Sequence, residues 1–485
     1  MSLDISDDGL LKAKAYINGS WCDSDNGETF DVVNPASGEV IASCASCGTG
    51  ETRRAIEVAE ATQVAWRKTT AKERAALLRK WFNLMMESQE DLAKILTAEQ
   101  GKPLAESRGE IAYGANYIEW FSEEAKRIYG DTIPEPSKDK RIVVIRQPVG
   151  VVACITPWNF PNAMLTRKIA PALAAGCTVV CKPANATPLS AFAFVELADR
   201  AGIPPGVINI VAGRTSEIGS EMTSNPIVRK LTFTGSTAVG KKLMADCAAT
   251  VKRTSMELGG NAPFIVFDDA DLDAAVAGAM ICKFRNAGQT CVCANRILIQ
   301  ESIYDEFTEK LMAAATSLKL GNGASDGVTM GPLINEGAAN DVVQFIEDAV
   351  AKGANVASGG GRSNLGACFV EPTILTDVNS TMRVFREEIF GPVAPLFKFK
   401  TEEEAIAMAN DTEFGLACYF YSRDIGRIWR VGEGLEYGIV GINEGIISNE
   451  MAPFGGVKES GQGREGSKYG MDDYLEMKYM CMGGI

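Results

Sequence analysis

From Val151 onward, short apolar segments alternate with segments long enough to form helices, and this pattern limits the possible folds more than any other feature. Short buried strands that alternate with helices are typical of a parallel sheet covered by helices on both faces. A second series of the same kind begins near Pro263. We therefore predict an α/β chain with two doubly wound, parallel-sheet domains. The apolar segments are VVACI, TVVCKP, VINIV and KLTFT in the first series, and FIVF, RILIQ and LACYFYS in the second.

The region before Val151 has a different pattern. Residues 51–128 are predicted to be helical, because apolar residues recur there at the spacing of a buried helical stripe. The charged, Pro-containing segment IPEPSKDK then leads into the apolar run from Ile142 to Ile145. This run predicts a protruding two-stranded arm rather than part of a core sheet. The helical stripe comprises Leu78, Trp81, Phe82 and Met85.

Charge and composition exclude several classes of function. The chain has 485 residues and a formal net charge of −14, so more than one domain is expected, and neither nucleic acid nor an anionic membrane is expected as a partner. There is no histidine, which excludes His-based metal sites and Ser-His-Asp triads. We therefore predict no metal site, and any nucleophile must be activated without an imidazole.

The same composition indicates a cytoplasmic location. Thirteen cysteines in a chain of this length are typical of buried thiols in a reducing compartment. The start of the sequence, MSLDISDDGLLKAK, does not have the pattern of a signal peptide. The long apolar stretch from Ile169 to Cys181 is too short to cross a bilayer.

Cys291 is the first candidate for chemistry. It lies in the segment NAGQTCVC, after a helix-like stretch and before the strand RILIQ, so it is predicted to occupy a connection where a thiol is accessible. Gly288 permits close approach of a ligand to the backbone. A cysteine at random is more often inert packing, which remains the alternative interpretation for Cys291.

Two polar residues follow predicted strands at places suited to catalysis. Glu257, in MELGG, is either a solvated carboxylate at a turn or a general base, for which a carboxylate is the natural choice when histidine is absent. Asn159, in TPWNFP, follows the strand VVACI, where doubly wound sheets bind ligands. It is either a turn residue or an amide donor for a developing oxyanion.

The segment FTGSTAVG has the pattern strand, turn, helix, and backbone N–H groups at such a helix start suit a diphosphate. This glycine pattern is weak by itself, since it differs from the G-x-G-x-x-G fingerprint.

These segments together resemble the aldehyde dehydrogenase superfamily over nearly the whole chain. Within it, the sequence is most similar to succinate-semialdehyde dehydrogenases, through KFRN, GQTCVCANR, LTRK, EGIIS and the tail GREGSKYGMDDYLEMKYM. The superfamily motifs, in order, are Ile17-Asn18-Gly19, Asn34-Pro35-Ala36, TPWNFP, KPAN, FTGST, MELGG, GQTC, Glu388-Ile389-Phe390-Gly391-Pro392, Pro453-Phe454-Gly455-Gly456, Lys458 and Ser460-Gly461.

The resemblance implies a catalytic role for three residues. Cys291 is expected to attack the aldehyde, Asn159 and the Cys291 N–H to hold the oxyanion, and Glu257 to activate the water that hydrolyses the thioester. A thiolate is a strong nucleophile and its thioester is readily hydrolysed, so the chemistry suits these residue types.

The resemblance also implies that the cofactor is NADP or NAD. Lys182 is expected at the adenosine ribose, Ser236 at the diphosphate, and Glu388 and Phe390 at the nicotinamide ribose and ring. Many relatives have Glu where this chain has Asn185, and an amide does not repel a 2′-phosphate, so we expect NADP to be preferred. The alternative is that Asn185 only ends the turn. The remaining expected cofactor contacts are Pro157, Trp158 and Gly235.

For the substrate, the resemblance implies that Arg167, Arg285 and Ser448 bind the distal carboxylate of succinate semialdehyde, since arginine holds carboxylates in a fork. The alternative is that both arginines are ordinary helix-surface residues. Glutarate semialdehyde or another ω-semialdehyde fits the same pocket, since one methylene changes discrimination by only about 1–3 kcal/mol. A CoA-acylating enzyme has no need of Glu257, and a non-enzymatic binding protein has no need of Cys291.

In some relatives a cysteine at the position of Cys293 forms a reversible disulfide with the nucleophile; inert packing of Cys293 is the alternative. The resemblance further implies a cofactor domain (1–128 and 149–257, with 452–471 returning to it) and a catalytic domain (258–451). Residues 129–148 and 472–485 are expected to be oligomerisation elements that form a homodimer or homotetramer, the second including a strand from Tyr474 to Tyr479. Residues 1 to about 12 are given no role.

Overall fold

The structure is a computed structural model that describes residues 3–485, so the cofactor domain predicted to begin at residue 1 starts outside the described residues. The strands are β1 Ala15–Ile17, β2 Ser20–Cys22, β3 Thr29–Val33, β4 Val40–Ala45, β5 Asp131–Ile133, β6 Lys140–Pro148, β7 Val151–Ile155, β8 Thr178–Lys182, β9 Ile208–Ile210, β10 Val228–Thr234, β11 Arg253–Glu257, β12 Ala262–Val266, β13 Ala294–Gln300, β14 Asn355–Ser358, β15 Thr373–Thr376, β16 Val393–Phe399, β17 Ala417–Tyr421, β18 Ile439–Ile442, β19 Gly461–Gln462 and β20 Leu475–Gly483.

The helices lie mainly between these strands, in the alternation that the sequence predicts. They are α1 Thr49–Trp66, α2 Ala71–Glu87, α3 Gln89–Gln100, α4 Leu104–Glu124, α5 Ala163–Ala175, α6 Leu189–Ala201, α7 Thr215–Ser224, α8 Thr237–Ala248, α9 Leu272–Phe284, α10 Tyr304–Ala315, α11 Glu336–Ala351, α12 Arg383–Arg386, α13 Glu402–Asn410 and α14 Ile425–Gly434.

The first large sheet has the strand order β19-β11-β10-β7-β8-β9-β1-β2. Its five central strands are parallel, whereas β1, β2 and β19 are antiparallel to their neighbours. The chain runs from β7 to β9 in one direction and continues with β10 and β11 on the other side of β7. The resulting crevice lies at the carboxyl ends of β7 and β10, which is where doubly wound sheets bind ligands.

Both faces of this sheet are buried, as the continuous apolar sequences of its strands predict. Val152 and Cys154 of β7 pack in a core with α2 to α6, and the alternate residues Val151 and Ala153 pack in another with α1, α7 and α8. The predicted stripe on α2 is confirmed: Leu78, Trp81 and Met85 are buried in the first of these cores, and Phe82 is half-buried against it.

The second large sheet has the order β14-β15-β16-β13-β12-β17-β18 and is parallel except for β14. It has its own core, formed with helices α9 to α14. The predicted α/β class with two doubly wound sheets is thus confirmed. The antiparallel edge strands were not predicted, because β1, β2, β14 and β19 have no more than four residues each and carry little periodicity.

The arm differs from its prediction. It has three strands in the order β20-β6-β5, not two, and β20 pairs with β6 along its whole length, from Leu475 to Gly483. The predicted strand from Tyr474 to Tyr479 is therefore wrong in its bounds, since Tyr474 ends a 3₁₀ helix and the strand continues to Gly483. The error arose because local sequence does not show a partner so distant along the chain. No helix within residues 3–485 is long and apolar enough to cross a membrane.

Candidate active site

The segment before Cys291 has an unusual backbone. It leaves α9 through a 3₁₀ turn at Arg285–Gly288, in which Asn286 has φ 51° and Ala287 has φ 53°. Two successive non-glycine residues in the left-handed region are unfavourable unless their surroundings hold them there. Gly288, with φ 76°, lies so close to Gly391 that a Cβ atom would meet its carbonyl oxygen at 2.2 Å. This conformation places Cys291 between α9 and β13.

Hydrogen bonds join this segment to the turn that follows β7. The side-chain amide of Asn159 donates to the carbonyl of Gln289 at 3.0 Å. The carbonyl of Asn159 in turn accepts from the side-chain amide of Asn286 at 3.0 Å and from Lys102 Nζ at 2.8 Å. Asn159 is therefore fixed beside the connection that carries Cys291, with its Oδ1 atom buried and without a partner among the described residues.

Cys291 is half-buried and its thiol faces a cavity. Burial raises the pKa of the Cys291 thiol to about 12; nearby Arg167 lowers it, and the carboxylates of Glu388 and Glu257 raise it further. A thiol in this environment stays protonated at neutral pH until a base accepts its proton.

Glu257, at the end of β11, has a carboxyl group that could serve as this base. It is 3% exposed, and its Oε2 atom has no hydrogen-bond partner within residues 3–485. Burial raises the pKa of Glu257 well above its ordinary value, and Glu465 adds to this, whereas Arg167 and Lys168 oppose it. A raised pKa makes the ionised carboxylate a stronger base, so Glu257 is suited to accept a proton.

The cavity beside Cys291 has a volume of about 270 Å³. Apolar and aromatic side chains form most of its wall, and the three predicted substrate residues, Arg167, Arg285 and Ser448, all line it. The remaining lining residues are Glu106, Gly109, Glu110, Tyr113, Phe160, Met164, Thr290, Val292, Ile446 and Phe454.

Arg167 is not a helix-surface residue. It is 1% exposed and forms an ion pair with Glu465, with an N···O distance of 2.6 Å. Its guanidinium lies over the ring of Phe454, with the Cζ atom 3.9 Å from the ring centroid. Arg167 therefore already has a carboxylate partner within the protein, which it shares with Lys168.

Arg285 differs from Arg167 in this respect. It is half-buried and its Cζ atom lies 5.4 Å from the ring centroid of Phe160. Its guanidinium forms no hydrogen bond or ion pair with any residue in the described part of the chain. Since Ser448 is half-buried on the same cavity, Arg285 and Ser448 present a free cation and a hydroxyl to it.

The crevice of the first sheet contains the start of α8. Ser236 is the N-cap residue of this helix, is exposed, and makes no side-chain capping bond. The first N–H groups of α8 are thus left for an external acceptor, and together with the helix dipole they suit a diphosphate. Gly235 lies at the end of β10, where a Cβ atom would meet the ring of Phe233 at 2.4 Å.

Lys182 is the last residue of β8, and Asn185 lies in the turn that follows it. Lys182 is 3% exposed, and burial lowers its pKa to about 8. The amide of Asn185 donates to the carbonyl of Gly213 at 2.7 Å and accepts from the Gly213 N–H at 3.2 Å. Asn185 therefore does hold a turn, but its second amide N–H is still free to donate.

Glu388 and Phe390 reach the crevice from the second sheet. Glu388 accepts a hydrogen bond from the Gly260 N–H at 3.0 Å, and burial raises its pKa to about 7. Phe390 has φ 52°, and its ring meets that of Trp158 edge-on at 5.6 Å between centroids. Pro157, next to Trp158, is half-buried. A flat ring system bound between the two sheets would contact these groups.

Comparison with known proteins gives the family. The model of the aldehyde dehydrogenase family matches residues 21–480. The chain belongs to the aldehyde dehydrogenase family. It is 63% identical over 483 residues to a glutarate-semialdehyde dehydrogenase of Pseudomonas aeruginosa, covering 100% of both chains. It is 62% identical to the succinate-semialdehyde dehydrogenase [NADP(+)] GabD of Escherichia coli, covering 99% of this chain and 100% of that one. The crystal structure of an E. coli NADP-dependent enzyme matches with a TM-score of 0.98 and 62% identity, over 99% of this chain and 100% of that chain.

Cys293 is a second thiol near Cys291 in this aldehyde dehydrogenase. It is 7% exposed, and its thiol lies 3.4 Å from the carbonyl oxygen of Lys283. Both Cys291 and Cys293 are free thiols in the structure. The surroundings of Cys293 are those of a packed side chain, and a disulfide with Cys291 stays a prediction.

Sequence reasoning missed several charged residues that shape the site. Glu465 is the partner of Arg167, and Lys102 forms a buried ion pair with Glu110 at 2.6 Å. Glu106 accepts a hydrogen bond from the Asn286 N–H at 2.8 Å. The charges of these helix and loop residues gave no signal in the sequence, because only the fold brings them together around the cavity.

Proposed function

We propose that this aldehyde dehydrogenase oxidises aldehydes that carry a distal carboxylate, with succinate semialdehyde as its substrate and NADP or NAD as its cofactor. The observation that carries this proposal is the unpaired guanidinium of Arg285 on the cavity beside Cys291. Arg285 is half-buried, so its unpaired charge is partly desolvated, and a carboxylate from the substrate would compensate it. The names of the relatives that are 62–63% identical support the same substrate class.

In the proposed mechanism, the Cys291 thiol loses its proton to Glu257 and its sulfur attacks the aldehyde carbon. The negative charge that develops on the aldehyde oxygen is stabilised by the free N–H of the Asn159 amide and by the Cys291 backbone N–H. Arg285 and Ser448 hold the substrate carboxylate, so that the aldehyde end is presented to the thiol.

NADP⁺ or NAD⁺ supplies the hydride acceptor that converts this adduct into a thioester. We propose that it is held by Ser236 and the start of α8 at the diphosphate, by Lys182 and Asn185 at the adenosine ribose, and by Glu388 near the nicotinamide. Gly235, Pro157, Trp158 and Phe390 complete this site. Once Glu257 has released its first proton to solvent, it accepts a proton from water, and the hydroxide attacks the thioester carbon. The C–S bond breaks, the carboxylic acid leaves, and the Cys291 thiolate takes the proton back from Glu257.

We also propose the domain division of the sequence analysis. The first sheet would form the cofactor domain and the second the catalytic domain, with residues 129–148 and 472–485 as oligomerisation elements. A homodimer or homotetramer is supported by the exposed side chains of β20, which include Met477, 75% exposed, and Tyr479, 62% exposed. A cytoplasmic location is supported by thirteen cysteines that are all unpaired.

Glutarate semialdehyde is the second candidate substrate, because it has the same terminal groups and one more methylene. The test is the rate of NADPH and NADH formation at 340 nm with succinate semialdehyde, glutarate semialdehyde and butanal. We expect both semialdehydes to exceed butanal in kcat/KM by at least about tenfold, which corresponds to one charge-assisted hydrogen bond. Equal kcat/KM on butanal would refute the carboxylate-binding role.

A further inference from the structure

The substrate cavity contains more charge than the proposed substrate needs. Four charged side chains line it, two arginines and two glutamates. Arg167 is paired with Glu465, and Glu110 is paired with Lys102, each at 2.6 Å. The two charged residues without an ion-pair partner among residues 3–485 are Arg285 and Glu106. A charged ligand in the cavity would therefore interact with the charges of Arg285 and Glu106, which no charge in the described part of the chain offsets through an ion pair.

Glu106 is in a position to act on such a ligand. It lies in the first turn of α4, and its Oε2 atom accepts the hydrogen bond from the strained Asn286 backbone, next to Arg285. No described residue donates a hydrogen bond to its Oε1 atom. One oxygen thus anchors the segment of the nucleophile, and the other is left for the cavity.

We propose that Glu106 is a specificity-determining residue whose protonation state sets how tightly an anionic aldehyde is held beside Arg285. This inference rests on the proposed function. When Glu106 is ionised, its negative charge opposes a substrate carboxylate and partly cancels Arg285. When it is protonated, its hydroxyl donates to that carboxylate. Binding of an anionic substrate is therefore coupled to uptake of a proton by Glu106, whereas binding of a neutral aldehyde is not.

The surroundings of Glu106 support this behaviour. Burial raises its pKa above the ordinary value, although nearby Lys102, the Asn286 N–H and Arg285 lower it; Glu110, on the same helix, raises it. Tyr113 and Cys291 are the other titratable groups on the same cavity wall. The net pKa shift of Glu106 is upward.

The test is the ratio of kcat/KM for succinate semialdehyde to that for butanal, measured from pH 6 to pH 9. Steps common to both substrates, including titration of Cys291 and Glu257, cancel in this ratio. The substrate carboxylate stays ionised over this range. In the unaltered enzyme we expect this ratio to fall roughly three- to tenfold as pH rises. The reason is that Glu106 ionises and its negative charge then repels the substrate carboxylate in a partly desolvated cavity.

Glu106→Gln keeps an oxygen acceptor for the Asn286 N–H but cannot ionise. We expect its ratio to be independent of pH and, at pH 9, to exceed that of the unaltered enzyme by the same factor. Glu106→Ala, which also removes the acceptor, should share the flat profile and lower kcat on both substrates. The matched control is Glu60→Gln, at an exposed carboxylate of α1, which should reproduce the unaltered profile.

The two possible failures are distinguishable. A ratio near one at every pH would refute the carboxylate-binding function and this inference with it. A high ratio that does not change with pH, or one that changes equally in Glu106→Gln, would leave that function intact and overturn the role of Glu106.

Discussion

Arg167 and Glu465 form an ion pair of 2.6 Å in which the arginine side chain is 1% exposed and the glutamate side chain 5% exposed. Glu465 also accepts a hydrogen bond from Lys168 at 2.5 Å. Burial raises the pKa of Glu465, but the two cations outweigh burial and the net shift is downward. Glu465 therefore carries a negative charge that partly offsets the two cations of α5, Arg167 and Lys168, behind the cavity.

Replacing Glu465 by Gln should destabilise the protein by about 3–5 kcal/mol, since two buried cations would lose their counter-charge. The change should also lower the pKa of Glu257, which Glu465 raises. Urea-induced unfolding measures the first effect and the acidic limb of the kcat profile the second. Glu476→Gln, which breaks the exposed ion pair with Arg253, is the control and should cost less than about 1 kcal/mol. A similar loss for both variants would contradict this account.

The two arginines on the cavity should behave differently when replaced. Arg285→Ala removes the unpaired cation, so we expect KM for succinate semialdehyde to rise roughly tenfold to a hundredfold, from a lost charge-assisted bond of about 1.5–3 kcal/mol. Its melting temperature should change little. Arg167→Ala leaves Glu465 without one of its partners and should mainly lower the melting temperature. Steady-state kinetics and thermal unfolding of both variants make this comparison, and equal effects on KM and stability would refute it.

The places of the three proposed catalytic residues in the fold were predictable because each lies at, or next to, the end of a clear strand. Glu257 ends β11 and Asn159 follows β7, so both reach the carboxyl edge of the first sheet. Cys291, by contrast, precedes β13, and the amino edge of the second sheet faces this crevice. No rule of sheet topology predicted that the amino edge of the second sheet would face the carboxyl edge of the first. This arrangement follows from long-range contacts such as the hydrogen bond from the Gly260 N–H to Glu388.

The ion pairs were not predictable for a related reason. Arg167 has the same local sequence whether it binds a substrate or Glu465, and its partner lies on a distant segment that returns to the first sheet through β19. Likewise, β6 was predicted as a strand from its own apolar run, but the pairing with β20 depends on the far end of the chain. Periodicity identifies an element, whereas its partner is determined by the fold.

Replacing Glu257 by Gln should separate the two halves of the reaction. An amide cannot accept a proton from water, so thioester hydrolysis should slow by about a hundredfold or more. Rapid mixing with NADP⁺ and succinate semialdehyde should then show a burst of at most about one NADPH per active site, followed by slow turnover. The burst should be slower than in the unaltered enzyme, because the Cys291 thiol must then lose its proton to solvent. Cys291→Ala should give neither a burst nor turnover. Loss of the burst in Glu257→Gln would instead assign Glu257 mainly to thiol activation.

Asn185→Glu should change the cofactor preference. A carboxylate at this position would repel the 2′-phosphate of NADP and accept hydrogen bonds from the free ribose hydroxyls of NAD. We expect kcat/KM for NADP to fall by about tenfold or more relative to NAD, as one like-charge contact would produce. Asn185→Gln keeps the amide and is the control, although its longer side chain must still reach Gly213. An unchanged cofactor ratio in Asn185→Glu would show that this residue does not contact the ribose.

Glu99 should make the stability of the protein depend on pH. It is fully buried, its two oxygens accept from the N–H groups of Leu189 and Ser190 at the start of α6, and burial raises its pKa to about 8. A pKa raised on folding means that the folded state binds the proton more tightly than the unfolded one. The contribution of the protonated Glu99 carboxyl to the free energy of unfolding is complete below its unfolded pKa of about 4.5. It is lost as pH rises through its folded pKa of about 8. The melting temperature should therefore fall from pH 6 to pH 8, and the slope should be smaller in Glu99→Gln, because Gln does not titrate. Other buried carboxyls contribute equally to both proteins, so an identical slope in the two would show that Glu99 is already ionised at pH 6.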